Sequence, residues 1–379
     1  MRRSLELLSL ACGIFGFLMT AVPAQAAQGV TADTIVIGAY GPITGPGAFI
    51  GLGGRDGMNL AVKDINEAGG INGRKIQVLF EDDGFSPARA LAAAKKLIDQ
   101  DKVFMIFSVA GSNSTVGTID FVKERQTVMY VSIASAPPVT HPFSKYLFRG
   151  GTNEAARYGE VYSEFVTQFL QTGKVAVLSG RDEYAKNEAD AVARLLKSWW
   201  NTEPVTRLEF NIGDKDFTPQ LLDIKKAEPD VLMVHGNPAE GAIILRQARE
   251  LGLTPAIFVS PTMIDRSFPA TAKFAAEGVT SMLNVPYFFD SKEPAMVKWN
   301  AAWQKEYPNM PAGRPNNFDM LGYGDMYCVA EGLKRAGKDL DTDKFIAALE
   351  SLDHYRVSEV ATPRTLSIAA FPSGASSTV

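Results

Sequence analysis

Short apolar runs alternate with amphipathic segments along most of this chain. The runs at 34–39, 75–80, 103–109 and 128–133 are almost continuously apolar, as is typical of parallel strands covered on both faces. Between them, the spacing of apolar positions predicts helices over 55–68, 86–99 and 114–125. This β-α-β-α order predicts a doubly wound parallel sheet with right-handed crossovers.

The same alternation begins again after a short segment at 147–151, which we interpret as a crossing between two lobes. A second α/β sheet is predicted from strands at 174–178, 231–235 and 256–259 and helices at 153–170, 184–200 and 239–251. An extended segment at 281–289 then leads to helical patterns at 293–306, 316–336 and 342–352. We expect these last helices to cover the first lobe, so that the two lobes are joined by a hinge with more than one crossing.

The first 26 residues have the pattern of a secretory signal peptide. Arg2 and Arg3 precede an apolar run from Leu7 to Val22, and Ala24-Gln25-Ala26 is an A-x-A cleavage site. The apolar run is shorter than the roughly 20 residues that a membrane span needs. The sequence therefore predicts a cleaved leader rather than an anchor.

Composition excludes several classes of function. The 379 residues suffice for two domains, and a net charge of −4 without a Lys/Arg-rich run indicates no nucleic-acid partner. Cys12 lies in the leader, so Cys328 remains alone and no internal disulfide is expected. Three scattered histidines do not form a metal site, and neither a metal nor a cofactor is expected.

A more specific pattern runs from Leu60 to Leu97. It reads Leu-Ala-Val-Lys-Asp-Ile-Asn-Glu-Ala-Gly-Gly-Ile-Asn-Gly-Arg, then an apolar strand, Glu-Asp-Asp, and Ser-Pro before an Ala/Leu-rich helix. Behind a secretory leader, this pattern resembles the branched-chain amino-acid class of periplasmic solute-binding proteins. The segment Ile-Leu-Arg-Gln-Ala-Arg-Glu-Leu-Gly at 244–252 is similar to the same family.

The resemblance implies a type I periplasmic-binding fold, with two Rossmann-like lobes joined by a multi-crossing hinge. Its expected divisions are a signal peptide at 1–26, a first lobe at 27–149 plus 285–352, and a second lobe at 150–284 plus 353–379. The tail after Thr-Pro-Arg-Thr departs from the family pattern. The implied function is that of a monomeric, non-enzymatic periplasmic subunit of an ABC importer, whose partners are a small solute and the membrane permease subunits.

Candidate binding residues lie at strand-to-helix junctions, because open α/β sheets bind ligands beyond the carboxyl ends of their strands. After the third strand, a small polar cluster at 110–115 offers hydroxyl and N–H donors at a helix start, where a carboxylate is stabilised. The resemblance gives this role to Ser112, although N-capping by Ser114 alone also explains the cluster. After the fourth strand, it implies a second contact through Ile133, Ala134 and Ser135.

In the second lobe, the resemblance implies that Tyr184 closes over the ligand and that Asn237 and Thr262 also contact it. The family carries a Glu at the Thr262 position that pairs with an α-ammonium group, and a neutral Thr does not supply that charge. The favoured ligand is therefore an aromatic or aliphatic acid without an amino group. Because Asp182 or Glu183 would also supply the charge, branched-chain amino acids remain an alternative.

A Gly-rich stretch at 41–54 is expected to form a loop at the cleft mouth, where Phe49 and Ile50 supply apolar wall. Its spacing Gly51-x-Gly53-x-x-x-Gly57 imitates a dinucleotide fingerprint, but it does not follow the strand directly. Close packing of Gly57 is an alternative explanation. A nucleotide-dependent enzyme is thus a remote alternative, and a secreted sensor feeding a membrane kinase is a nearer one.

Overall fold

The computed structural model describes residues 27–166, 171, 174–263, 268–282, 292, 294–310 and 314–352. The first of its two sheets has five parallel strands: β1 (Thr34–Gly41), β2 (Lys75–Asp82), β3 (Met105–Ser108), β4 (Met129–Val131) and β5 (Leu147–Arg149). Their order across the sheet is β2-β1-β3-β4-β5. The connecting helices are α1 (Ala48–Glu67), α2 (Pro87–Lys95), α3 (Ser112–Val116) and α4 (Ile119–Glu124).

The second sheet repeats this plan. Helix α5 (Ala155–Glu164) leads into strands β6 (Val175–Gly180), β7 (Thr206–Phe210), β8 (Val231–His235), β9 (Ala256–Val259) and β10 (Val279–Thr280). All pair in parallel, in the order β10-β9-β8-β6-β7. The connecting helices are α6 (Glu183–Trp200), α7 (Thr218–Lys226), α8 (Pro238–Glu250) and α9 (Phe268–Ala272). In each sheet, successive strands are added on opposite sides of that sheet's first strand, β1 or β6. Such a switch point opens a crevice at the carboxyl ends of the strands.

Three C-terminal helices return to the first sheet: α10 (Pro294–Glu306), α11 (Asn317–Ala336) and α12 (Thr342–Glu350). Their side chains Trp303 and Phe345 share one hydrophobic core with Ile37 of β1. Helix α11 packs directly on α1, where a Cβ on Gly57 would overlap the carbonyl oxygen of Asp319. Gly57 therefore allows α1 and α11 to pack closely. Helix packing, the alternative to a nucleotide-binding fingerprint, thus explains this glycine.

The structure corrects four expectations about local elements. The segment at 147–151 contains an edge strand of the first sheet, not merely a crossing. Strand β7 was not predicted, because its charged Arg207 and Glu209 interrupt the apolar run that identifies central strands. The helix expected over 114–125 is two short helices, and the Gly-rich stretch already becomes helix α1 at Ala48.

Several expectations fall on residues outside the described ones: the leader at 1–26, most of the crossing at 281–289, and the tail at 353–379. The exact lobe boundaries therefore stay predictions. Among the described helices, none combines the length and apolar character that crossing a bilayer requires.

Candidate functional site

A cavity lies between the two sheets, at the carboxyl ends of both sets of strands. Protein atoms leave about 540 Å³ of space there, a volume that includes the open solvent at its mouth. The first lobe lines it with Ile50, Phe85, Gly111, Ser112, Asn113, Ile133, Asn317, Phe318 and Leu321. The segment after β5 and the second lobe supply Thr152, Tyr158, Asp182, Tyr184, Asn237, Pro261 and Thr262.

The two lobes touch each other at this cavity. The Asn113 side-chain oxygen, at the start of α3, accepts a hydrogen bond from the backbone N–H of Glu183 at 2.7 Å. Glu183 is the first residue of α6. In this structure the two lobes are therefore in direct contact beside the cavity.

Ser112 provides the polar wall of the first lobe. It is only 2% exposed, and its hydroxyl oxygen has no hydrogen-bond partner among the described residues. A buried polar group without a partner costs about 1–3 kcal/mol, and a ligand that bonds to it would remove that cost. Because α3 has only five residues, the helix that begins at Ser112 is shorter than the helix expected over 114–125.

The second lobe places Asp182 and Tyr184 at the start of α6. Asp182 is 7% exposed; one of its oxygens caps the helix by accepting from the Ala185 N–H at 3.2 Å. The other oxygen, Oδ2, is buried without a hydrogen-bond partner among the described residues. Burial raises the pKa of Asp182 and raises the pKa of the Tyr184 hydroxyl well above its usual range.

A buried polar network lies beneath this wall. Glu188, four residues after Tyr184 on α6, is fully buried, and its Oε2 accepts from Ser260 Oγ at 2.8 Å. The same oxygen lies 3.0 Å from Nδ1 of His235, at the end of β8. Among the described side chains, no Lys or Arg forms an ion pair with Glu188.

The fold and the cavity accord with the comparisons to known proteins. The profile of the family described as "Periplasmic binding protein" matches residues 34–367. The chain belongs to this family. Within it, the "Leucine-, isoleucine-, valine-, threonine-, and alanine-binding protein" of Pseudomonas aeruginosa is 30% identical over 338 residues, covering 88% of this chain and 87% of the relative. This places the chain in the branched-chain amino-acid class of periplasmic binding proteins, which are solute-binding proteins and not enzymes.

Solved structures of periplasmic binding proteins share the two-lobed fold. The isoleucine complex of LivJ from Streptococcus pneumoniae aligns with a TM-score of 0.75 at 24% identity, covering 87% of this chain and 91% of that one. A "Fatty acid ABC transporter substrate-binding protein" from Thermomonospora curvata aligns with a TM-score of 0.78 at 21% identity, covering 89% and 86%. At these identities the likeness shows the type I periplasmic-binding fold.

Of the nine binding residues predicted for this family member, six line the cavity: Ile50, Ser112, Ile133, Tyr184, Asn237 and Thr262. Thr262 already uses its hydroxyl, which donates to the Gly236 carbonyl at 2.6 Å. Asn237 lies directly before α8, 4% exposed. Their roles toward a ligand stay predictions, although the structure places them around one space.

The other three predicted residues lie just behind the cavity wall. Phe49 turns toward Phe318, with ring centroids 5.8 Å apart. The Ala134 carbonyl accepts from Nη1 of the buried Arg149 at 2.6 Å. Ser135 is fully buried, and its carbonyl accepts from the Ala155 N–H at 3.0 Å, which ties the first lobe to α5.

Arg149 is a positioning residue that the sequence did not single out. Its second nitrogen, Nη2, donates to the Ala136 carbonyl at 2.7 Å, so the guanidinium fixes the loop after β4 from behind. Burial lowers the pKa of Arg149 to about 10, which leaves it charged at neutral pH. Glu154 forms an ion pair with this guanidinium at 3.9 Å, so the charge behind Ile133 is compensated.

Phe85 is the most prominent cavity residue that sequence reasoning missed. It has a left-handed backbone with φ of 63°, and a Cβ on either Gly47 or Gly111 would meet its ring. Phe85 follows β2, so the rule that sites lie at the carboxyl edge of the sheet was a usable signal. By contrast, Tyr158 and Asn317 are brought in by α5 and α11, far from any predicted junction, and no local pattern pointed to them.

Proposed function

We propose that this protein is the substrate-binding subunit of an ABC importer, and that it captures a small carboxylate-bearing solute between its lobes in the periplasm. The observation that carries the proposal is the Ser112 hydroxyl, buried and without a hydrogen-bond partner among the described residues, in a cavity walled by both lobes. Such a donor suits a carboxylate oxygen. Asn113 and the backbone around Gly111 line the same corner.

The names of similar proteins support a carboxylate as the shared feature of the ligand. The P. aeruginosa relative is named for binding five amino acids, and the T. curvata structure is named for a fatty acid. These solutes differ in size and in their amino group, but each carries a carboxylate. The apolar side chains Ile50, Phe85, Phe318 and Leu321 beside Ser112 suit an aliphatic or aromatic remainder.

The proposed mechanism is hinged closure without covalent chemistry. A solute docks on the first lobe through its carboxylate, and contacts from Tyr184, Asn237 and Thr262 then stabilise the closed form. A ligand shifts this equilibrium only by binding the closed form better than the open one. We propose that the closed monomer is what the membrane permease subunits recognise.

Calorimetric titration of the chain without its leader tests this function. The panel contains amino acids, the matching acids without an amino group, and apolar alcohols of the same size. We expect at least one carboxylate to bind, and the matching alcohol not to. Binding of alcohols as tightly as acids, or binding of nothing in the panel, would overturn the proposal.

A further inference from the structure

Phe85 lines the cavity with an aromatic ring whose backbone is in an unusual conformation. Its φ of 63° is in the left-handed region, where a bulky residue is an outlier. Among the described non-glycine residues with a left-handed backbone, Phe85 alone lines the cavity. Such a conformation costs free energy, persists only where the surrounding structure holds it, and is concentrated at functional sites. Its position at the cavity therefore indicates a functional role.

Two consecutive aspartates, the last residue of β2 and the residue after it, hold this conformation. Asp82 Oδ1 accepts a hydrogen bond from the Gly84 N–H at 2.9 Å, and Asp83 Oδ1 accepts one from the Phe85 N–H at 2.7 Å. The Ser86 N–H donates to the Asp83 carbonyl at 3.0 Å. Bonds from an Asp side chain to the backbone two residues further on stabilise turns. The turn after β2, and with it the place of the Phe85 ring, is therefore fixed by these three bonds.

The ring lies between two glycines that each precede a helix. Gly47 is the N-cap residue of α1, and Gly111 is the N-cap residue of α3. A Cβ on Gly47 would overlap Cδ2 of Phe85, and a Cβ on Gly111 would lie 2.8 Å from its Cε2, closer than ordinary contacts allow. The ring therefore occupies the space that side chains at both glycine positions would need.

The ring borders the corner of the cavity that Ser112 lines, because Gly111 directly precedes Ser112. A carboxylate bound to the Ser112 hydroxyl would place its first carbons beside the ring. Phe85 has little room to yield to them, since Asp82 and Asp83 fix its turn and the two glycines enclose its ring. Adding bulk to a packed contact forces strain. The space beside the carboxylate is therefore narrow.

From this geometry we infer that Phe85 is a specificity-determining residue, which limits the bulk that a solute can carry next to its carboxylate. The inference rests on the function proposed above and narrows its ligand to carboxylates with a slender chain beside the carboxyl group. Branching further along the chain is not restricted by this residue. An amino group is far smaller than a branched alkyl group, so the inference applies to carboxylates with and without one.

The test uses two pairs of isomers, norleucine with tert-leucine and hexanoate with 3,3-dimethylbutanoate. The first member of each pair has a straight chain, and the second carries a tert-butyl group on the carbon next to the carboxylate. The variants are Phe85→Gly, which removes the ring and suits the left-handed backbone, and Phe85→Leu, which keeps part of the bulk. Phe274→Ala is the control, because Phe274 is 63% exposed and is not among the residues that line the cavity. Calorimetry on the chain without its leader gives each affinity.

We expect the unaltered protein to bind the straight isomer of at least one pair roughly tenfold or more tightly than the branched isomer, which is the usual effect of one methylene group in a hydrophobic pocket. Phe85→Gly should reduce that ratio by roughly tenfold, because the branched isomer should bind more tightly to the variant than to the unaltered protein. Phe85→Leu should give a smaller reduction, and Phe274→Ala none. A merely structural role for Phe85 predicts weaker binding of both isomers and no gain.

The outcomes separate this inference from the proposed function. Equal or tighter binding of the branched isomers by the unaltered protein, or a ratio that Phe85→Gly does not change, would overturn the role of Phe85 and leave carboxylate capture intact. The same holds if the straight isomers fail to bind while other carboxylates do, because they are the slender solutes that Phe85 should admit. Failure of every carboxylate to bind would overturn the proposed function, and the role of Phe85 with it.

Discussion

The side-chain oxygen of Asn113 accepts a hydrogen bond from the backbone N–H of Glu183 across the gap between the lobes, at 2.7 Å. One partner begins a helix of the first lobe and the other begins a helix of the second. This bond joins the two lobes, so under the proposed hinged closure it stabilises the closed arrangement without being part of either lobe's own fold.

Replacing Asn113 should therefore loosen the closed form. With Asn113→Ala, we expect a loss of about 1 kcal/mol, the usual net value of one hydrogen bond, and about fivefold weaker binding of any solute. Small-angle X-ray scattering should show a larger radius of gyration. Glu183→Ala is the matched control, because it keeps the backbone N–H and should change neither quantity. Equal effects of both variants would contradict the assignment.

Removing the Ser112 hydroxyl should weaken carboxylate binding. We expect Ser112→Ala to cost roughly 1–3 kcal/mol in calorimetric affinity, since the ligand carboxylate would lose a buried donor. Ser114→Ala provides the control, because Ser114 is fully buried in the same helix but is not among the residues that line the cavity. An unchanged affinity in Ser112→Ala would remove that residue from the site.

Close packing of α1 on α11 predicts that Gly57→Ala is strongly destabilising. The added Cβ would overlap the Asp319 carbonyl oxygen, and forcing atoms into a packed contact costs roughly 1–3 kcal/mol or more. Urea unfolding should show the loss. Asn59→Ala, at an exposed position of the same helix, should be neutral or slightly stabilising, because Ala is the better helix former. If both variants unfold at the same urea concentration, the packing explanation is wrong.

The buried carboxyl group of Asp83 predicts that the free energy of unfolding depends on pH. Asp83 is 0% exposed, and burial raises its pKa from 3.8 to about 6. Between these values the folded protein binds a proton that the unfolded chain has lost, so this contribution to stability falls as the pH rises and is gone above about pH 6. The Asp83 carboxylate therefore destabilises the fold at neutral pH.

The variant Asp83→Asn isolates this contribution. It can still accept the bond that the Phe85 N–H donates to Asp83 Oδ1 at 2.7 Å. We expect it to be more stable than the unaltered protein at pH 8, by on the order of 3 kcal/mol, with the difference shrinking toward pH 4. Urea unfolding across this range gives the difference, with the exposed Asp120→Asn as control. A difference independent of pH would show that Asp83 does not titrate in this window.

The sequence alone determined the fold class and most of the central elements. Continuous apolar runs identified β1, β8 and β9, because strands covered on both faces need apolar side chains at every position. The edge strands β7 and β5 escaped this reasoning, because β7 carries charged residues on its exposed side and β5 has only three residues, whereas the edge strand β2 was identified. The family pattern at 60–97 and the carboxyl-edge rule also led to Ser112, Ile133 and Tyr184 beside the cavity.

Only the tertiary structure decided how charge is arranged around the site. Arg149 and Glu188 lie in a strand and a helix whose local sequence gives no sign of a nearby cavity, and their burial follows from packing between distant segments. Tyr158 and Asn317 reach the cavity because α5 and α11 fold back onto it. The local sequence pattern specifies which face of a helix or strand is apolar. The electric field at a site, in contrast, is the sum of contributions from charged groups that only the folded chain brings together.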